Sequence, residues 1–194
     1  MLFTIDTNCI IDLERDTEFA PPLRQLIAAH RLGDAEVAVP AVAASEVQRD
    51  GLYLQNFGQF QERLAQAGLE GLPLIHPIAY WGISFYGLGY LADDAMVELE
   101  RKIHVVLHPS VPFEYLGRTS PTTGIEEPDP KWRNAKCDTQ SLWSHVYHKR
   151  DVFVTRDANF LKKTKLPALA ALAALGAGQV LVPRDAAVLL RPAA

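Results

Sequence analysis

The stretch that most constrains the fold is LFTIDTNCIIDLE at residues 2–14. Residues 2–5 are apolar or β-branched and predict a short β-strand, whereas the apolar side chains of residues 9–13 recur at helical spacing. Asp6 lies between the two patterns. An acidic side chain at the carboxyl end of a buried strand, directly before a helix, occupies the position at which open α/β sheets bind ligands.

Strand and helix patterns alternate along the remaining chain. The stretch DVFVT at 151–155 has the Val- and Phe-rich composition of a strand buried in a parallel sheet. No Asn-Gly dipeptide marks a tight hairpin. We therefore predict an α/β fold with a largely parallel sheet. Further strands are expected at 36–40, 73–77 and 179–182, and further helices at 17–31, 40–49, 57–67, 93–108, 135–148, 167–177 and 185–190.

The middle of the chain does not follow this alternation. Residues 109–130 contain five prolines, two glycines and no periodicity, as in a functional or disordered loop. Residues 78–92 are aromatic and punctuated by glycine, and their aromatic side chains either stack on nucleotide bases or, as we favour, pack in the core or at a subunit interface. These aromatic residues are Tyr80, Trp81, Phe85, Tyr86 and Tyr90. We predict one domain over residues 1–194, in which 78–130 is an insertion or elaboration.

Composition limits the classes of function. The chain has 194 residues, is 48% apolar and carries a formal net charge of −4, which argues against a broadly basic nucleic-acid binder. It does not exclude a nuclease, because acidic metal ligands make a site negative until the ion binds. We expect a cytoplasmic protein without a membrane segment, since no signal peptide or long apolar run is present. Cys9 and Cys137 lack metal-ligand spacing and are expected to be buried free thiols.

Four acidic residues are expected to meet at one edge of the sheet. Asp6 and Asp157 each follow a strand, and the carboxyl ends of parallel strands share an edge. Glu46 falls within the second turn of the helix predicted after the second strand. Asp138 lies near the start of a helix that must run down to feed the next strand, so its carboxylate returns to the same edge.

Carboxylates brought together in this way need a counter-charge. Hard divalent cations prefer oxygen ligands, so the cluster predicts a site for Mg²⁺ or Mn²⁺, which could activate water against a phosphodiester. Asn8, Thr155 and Asn159 would supply neutral polar groups beside it. Each acid also has a structural explanation, as a helix cap, a favourable helix-terminus charge or a solvated surface residue.

These residues resemble the PIN-domain family. The resemblance is carried by Ile5-Asp6-Thr7-Asn8, by Glu46, and by Asp138 followed by VFVTRDANF at 152–160. It implies a Rossmann-like α/β nuclease that hydrolyses RNA with Mg²⁺ or Mn²⁺. By this resemblance the four acids take the metal-ligand positions, while Asn8 and Thr155 match accompanying polar positions. Many relatives are VapC-like ribonuclease toxins, which implies an antitoxin protein as a partner and a homodimer.

We therefore predict a metal-dependent endoribonuclease, with Arg156, Lys162 and Lys163 as phosphate contacts. A non-catalytic module that binds RNA or a protein partner stays open as an alternative. A dehalogenase-like phosphatase is less favoured, because that chemistry needs a second aspartate where this chain has Asn8. Two histidine pairs at helical spacing lack a third ligand and are not expected to bind metal; they are His104 with His108, and His145 with His148.

Overall fold

The computed structural model describes residues 1–47, 52–120, 124, 126–173 and 178–190. The strands are β1 (Leu2–Ile5), β2 (Glu36–Pro40), β3 (Leu74–Ile75), β4 (Gly117–Thr119), β5 (Glu126–Pro128), β6 (Val152–Val154) and β7 (Gln179–Leu181). The helices are α1 (Thr7–Arg15), α2 (Ala20–Leu32), a 3₁₀ helix (Ala41–Ser45), α3 (Phe57–Gln66), α4 (Asp94–Leu107), α5 (Pro130–Tyr147), α6 (Ala158–Leu161), α7 (Leu166–Ala173) and α8 (Pro183–Val188).

A five-stranded parallel sheet organises the chain. Its strand order is β3-β2-β1-β6-β7, so the first strand lies at the centre. Ile5 pairs with Val154 across β1 and β6, and the residues that follow these two therefore lie side by side at the carboxyl edge. The α/β class and the parallel, Rossmann-like sheet are confirmed.

Helices cover both faces of the sheet. Because side chains alternate along a strand, Val152 and Val154 pack against α1, α2, α3 and α8, whereas Phe153 packs against α4, α5, α6 and α7. The face of the sheet that carries Phe153 also has a buried polar contact, in which Thr4 Oγ1 lies 2.9 Å from His145 Nδ1. Cys9 and Cys137 are buried free thiols, as predicted. No helix within the described ranges is long and apolar enough to span a bilayer.

The predicted helix at 40–49 is wrong over the residues that the structure describes, and its last two residues lie outside them. The chain forms only the short 3₁₀ helix, and Glu46 then adopts an extended conformation. Ser45 explains the early end, because its carbonyl oxygen accepts hydrogen bonds of 3.1 and 2.9 Å from the guanidinium of Arg133. Its hydroxyl donates to the carbonyl of Ile83 at 2.5 Å. These distant partners replace the local helical bonds.

Helix α5 begins five residues before the predicted start at Ala135. The carboxylate of Asp129 accepts hydrogen bonds from the backbone N–H groups of Lys131 and Trp132, and Pro130 occupies the first turn. Both features favour a helix start. Asp138 therefore lies near the middle of α5 and not close to its N-terminus, which corrects the prediction.

The proline-rich stretch at 109–130 is not a loop throughout. β4 and β5 pair antiparallel, with Gly117 opposite Pro128, and form a separate two-stranded sheet. In residues 78–130, apart from the undescribed 121–123 and 125, the structure has no strand of the five-stranded sheet. The remaining predicted strands and helices are present, with bounds that shift by a few residues; the last part of the helix predicted at 167–177 lies outside the described residues.

Candidate functional site

The carboxyl edge of the sheet gathers Asp6, Glu46, Asp138 and Asp157, here called the carboxylate cluster. Asp6 follows β1 and Asp157 follows β6, while Glu46 follows the 3₁₀ helix and Asp138 projects from α5. The four groups lie close enough to act on one another electrostatically. In addition to burial, which is the largest cause, Asp138 and Asp157 raise the pKa of Asp6, and Asp6 and Asp138 raise that of Glu46. The structure thus brings together the four acids that the sequence predicted to converge.

Asp6 lies in a dense polar network. Its Oδ2 accepts hydrogen bonds from Asn8 Nδ2 at 2.7 Å and from Thr155 Oγ1 at 2.8 Å, and its Oδ1 accepts one from the backbone N–H of Thr7 at 2.8 Å. The Thr155 hydroxyl also accepts from Asn8 Nδ2 and from the backbone N–H of Asp157, at 2.9 and 3.0 Å. Asn8 and Thr155 therefore stand beside the cluster, as expected, and fix the orientation of the Asp6 carboxylate.

Burial and the mutual repulsion of the acids raise the pKa values of carboxyl groups in the cluster. Burial, followed by the charge of Asp138, raises the pKa of Asp6 from 3.8 to about 7. Burial also raises the pKa of Glu46 well above its ordinary value, with further contributions from Asp6 and Asp138. A cation placed among these groups would reverse the effect, because opposite charge favours the ionised carboxylate.

His108 is a member of the site that the sequence did not reveal. Its Nε2 lies 3.1 Å from Oδ2 of Asp138, and it partly offsets the rise that burial causes in the pKa of that carboxyl group. Asn159 lies beside two members of the site: its backbone N–H donates to Asp157 Oδ1 at 2.6 Å, and its side-chain Nδ2 lies 3.5 Å from His108 Nε2. Its side-chain Oδ1 accepts a hydrogen bond from the ammonium of Lys165.

A groove of about 590 Å³ opens beside Asp138 and is here called the lysine groove. Its polar lining includes three ammonium groups, one imidazole, one carboxylate, two amides and one hydroxyl, from Lys131, Lys162, Lys165, His108, Asp138, Asn134, Asn159 and Ser110. Lys165 also donates to the carbonyl of Leu107 at 2.5 Å. Burial lowers the pKa of Lys165, and the charge of Lys162 lowers it further, so the two cations face the same space.

Of the three predicted phosphate contacts, Lys162 alone is among the residues that line the groove. Lys163 is exposed outside that lining. The guanidinium of Arg156 pairs with the buried carboxylate of Asp12 and lies 4.9 Å from the ring of Phe19, so it holds the turn after β6 against α1. Lys131 was missed because it shares a face with Asp138 only once α5 is known to start at Pro130.

The donor set suits a hard divalent cation in its chemistry. All four acids offer oxygen, the ligand that Mg²⁺ and Mn²⁺ prefer. Burial and then the neighbouring acids raise the pKa values of Asp6 and Glu46, and a bound cation would favour their ionised forms. Within the described part of the chain, no three His, Cys, Asp or Glu side chains already stand in ligating geometry. Asn8 and Thr155 donate to Oδ2 of Asp6, and His108 lies against Oδ2 of Asp138, so the second oxygen of each carboxylate keeps lone pairs with which it could bind a cation.

Comparison of the chain with protein-family models, with curated proteins and with solved structures gives no match. A function for this protein must therefore be inferred from its residues and their geometry.

Proposed function

We propose that this protein is a Mg²⁺- or Mn²⁺-dependent endoribonuclease with a PIN-like site. The observation that carries the proposal is the convergence of four carboxylates, from four separate segments, at the carboxyl edge of a parallel sheet. The raised pKa of Asp6, caused first by burial and then by the charge of Asp138, is compatible with it, because a cation at the cluster would favour the ionised carboxylate. The lysine groove beside Asp138 supplies the positive charge that a polynucleotide backbone requires.

Different residues would bind the cation, orient a ligand and attract the phosphates. Asp6, Glu46, Asp138 and Asp157 would hold the cation. When bound, the cation would offset the carboxylate charge and stabilise the charge that develops on the phosphodiester. Thr155 and Asn8 would orient the Asp6 carboxylate through the hydrogen bonds they already make. Lys162 and Lys165 would attract the phosphates that flank the cleaved bond.

A non-catalytic module that binds RNA or a protein partner is the second candidate. It is favoured by one observation: Asp6 and Asp138 are satisfied by Asn8, Thr155 and His108, so both are stably held without further ligands. A phosphatase that uses an aspartate nucleophile has less support. Asn8 holds the position of the second acid in that chemistry, and its side chain is bonded to Asp6 and to the backbone N–H of Arg156.

The resemblance to VapC-like toxins adds two partners to the proposal, an antitoxin protein and a second copy of the chain. Growth arrest on expression, relieved by the product of an adjacent reading frame, would support the first. The mass of the purified protein in solution tests the second.

Incubation of the purified protein with a mixed RNA pool tests the catalytic proposal. Cleavage is expected with Mg²⁺ or Mn²⁺, and none with EDTA or in an Asp6→Asn variant. Asn preserves the helix cap that Asp6 provides to α1. Asp16→Asn is the matched control, because Asp16 is an exposed acid whose left-handed backbone, with φ of 50°, Asn also tolerates. Binding without cleavage by the wild type would favour the non-catalytic module.

A further inference from the structure

Helix α5 holds the peptide group that leads into Glu46. The Nε and Nη2 atoms of Arg133 donate hydrogen bonds of 3.1 and 2.9 Å to the carbonyl oxygen of Ser45. This carbonyl belongs to the peptide group between Ser45 and Glu46. Because a peptide group is planar, a contact that holds its oxygen also fixes the position of the Cα atom that follows it. Arg133 therefore acts on the backbone that carries one member of the carboxylate cluster.

The guanidinium of Arg133 is itself held by an aromatic ring. Its Cζ atom lies over the ring of Tyr53, 3.8 Å from the centroid, which is a cation–π contact. Tyr53 is partly buried, so the ring shields one side of the guanidinium from water. A planar guanidinium can lie against a ring and still direct two N–H groups to one oxygen, which the ammonium of a lysine cannot do. The contact thus requires arginine and not only a positive charge.

Apolar packing joins the same two segments. Val42 of the 3₁₀ helix packs in a buried group with Trp132 and Cys137. These two residues directly precede Arg133 and Asp138 along α5. The 3₁₀ helix therefore lies on the same stretch of α5 that carries Asp138, and the guanidinium completes this contact at the carboxyl end of the 3₁₀ helix.

Glu46 differs from Asp6 in how its backbone is placed. Asp6 directly follows β1, so the register of the sheet fixes its position. Glu46 follows a 3₁₀ helix that ends after five residues, and its own backbone is extended. The contact from Arg133 ends that helix, so the place of Glu46 depends on a side chain of α5. Burial, and then the charge of Glu46, raises the pKa of the Cys137 thiol, as expected if the carboxylate lies close to α5.

We propose that Arg133 is a positioning residue of the cation site, which holds the peptide group before Glu46 on α5 and so sets where the Glu46 carboxylate stands relative to Asp138. The inference rests on the proposed function and adds a residue that acts through Glu46, without contact to the cation or the RNA. Groups that hold metal ligands in place typically contribute about 10–100-fold to metal affinity.

Binding of Mn²⁺ alone tests this role, because it requires neither RNA nor cleavage. The electron paramagnetic resonance signal of the free ion broadens on binding, so a titration of the full chain gives a dissociation constant. Arg133→Met keeps an unbranched side chain without donors and should weaken binding of Mn²⁺ by about 10–100-fold. Arg133→Lys should recover only part of the affinity, because an ammonium restores a hydrogen bond to the carbonyl but not the planar pair.

A second buried arginine separates positioning from general stability. Arg150 donates to the carbonyl of Phe3 at 2.8 Å and to the carboxylate of Glu36 at 2.6 Å, near the amino ends of β1 and β2. Arg150→Met should therefore lower the free energy of unfolding, measured with denaturant in EDTA, and leave the affinity for Mn²⁺ unchanged. If this variant does not fold, Arg31→Met replaces it as the control, because Arg31 donates to the carbonyl of Gly68 at 2.9 Å.

The ring of Tyr53 offers a milder change at the same contact. Tyr53→Leu removes the ring that lies against the guanidinium and should weaken binding of Mn²⁺ severalfold, whereas Tyr53→Phe keeps the ring and should bind like the wild type. This pair decides the question if Arg133→Met does not fold. Equal affinities in the two Tyr53 variants would then contradict the proposal.

Two further results would overturn the proposal. The first is a folded Arg133→Met protein that binds Mn²⁺ as tightly as the wild type; the positioning role is then wrong and the cation site stands. The second is an equal loss of affinity in Arg133→Met and Arg150→Met, which assigns the effect to a general loosening of the fold. Failure of the wild type itself to bind Mn²⁺ would remove the proposed function, and the positioning role with it.

Discussion

The hydroxyl of Thr155 donates a 2.8 Å hydrogen bond to the carboxylate of Asp6, although 149 positions separate the two residues. Each residue directly follows a strand, and β1 and β6 are parallel neighbours whose last residues, Ile5 and Val154, pair. The contact is therefore a consequence of strand register. It joins β1 to β6 at the edge of the sheet where the proposed chemistry takes place.

The pH dependence of stability tests the buried state of Asp6. Its pKa is raised from 3.8 in the unfolded chain to about 7 in the folded one, so the folded state holds the proton more tightly. Stability without metal should therefore fall as the pH rises from about 4 to 7, by an amount on the order of a few kcal/mol. Thermal unfolding in EDTA at several pH values measures the slope, and Asp6→Asn should reduce it, while the raised pKa values of Glu46 and Asp138 keep part of it. An equal slope in both proteins would contradict the assignment.

Metal binding should stabilise the folded protein. A cation at the cluster binds the folded state alone, and at a hundredfold excess over its dissociation constant it adds about 2.7 kcal/mol to the free energy of unfolding. Mg²⁺ or Mn²⁺ should raise the melting temperature of the wild type and of Asp16→Asn. An equal rise in an Asp6→Asn, Asp138→Asn double variant would place the cation elsewhere.

The lysine groove predicts which cation contacts phosphate. Lys162→Ala should weaken RNA binding and reduce the salt dependence of the affinity by about one unit of slope, as for one lost phosphate contact. Lys163→Ala is the matched control, because Lys163 is exposed outside the groove lining and should change neither quantity. Titrations at several salt concentrations separate the two. A larger effect of Lys163→Ala than of Lys162→Ala would identify Lys163 as the phosphate contact.

A buried ion pair holds α4 and α5 together. The ammonium of Lys136 donates to Glu100 at 2.8 Å and lies 4.1 Å from the ring centroid of Phe113, and both charged side chains are almost fully buried. Glu100→Gln leaves that buried ammonium without its counter-charge and should lower the free energy of unfolding by about 3–5 kcal/mol.

Denaturant unfolding checks the buried pair. Glu98→Gln should cost less than about 0.5 kcal/mol, because Glu98 is exposed and its ion pair with Lys102 spans one helical turn at the surface. A Glu100→Gln, Lys136→Met double variant should recover much of the loss, since neither charge then remains buried. A small effect of Glu100→Gln alone would show that the pair contributes little.

The sequence predicts the sheet and the sheet-edge acids because both follow from local pattern. The positions of Asp6 and Asp157 could be predicted from the strand ends and from the rule that the carboxyl ends of parallel strands share an edge. The extended backbone at Glu46 could not be predicted, because it depends on a hydrogen bond from the guanidinium of Arg133 to the Ser45 carbonyl, and these two residues are 88 positions apart in the sequence. His108 was missed for a related reason. Its contact with Asp138 depends on where α4 ends relative to α5, which no local pattern encodes.

Cleavage of a labelled single-stranded RNA with Mg²⁺ tests the central claim most directly, when wild type, Asp6→Asn and Asp16→Asn are purified in parallel. The carboxylate cluster predicts cutting by the wild type and by Asp16→Asn, abolished by EDTA and reduced by roughly 100-fold or more in Asp6→Asn. Equal cutting by all three proteins, or cutting that persists in EDTA, would contradict it.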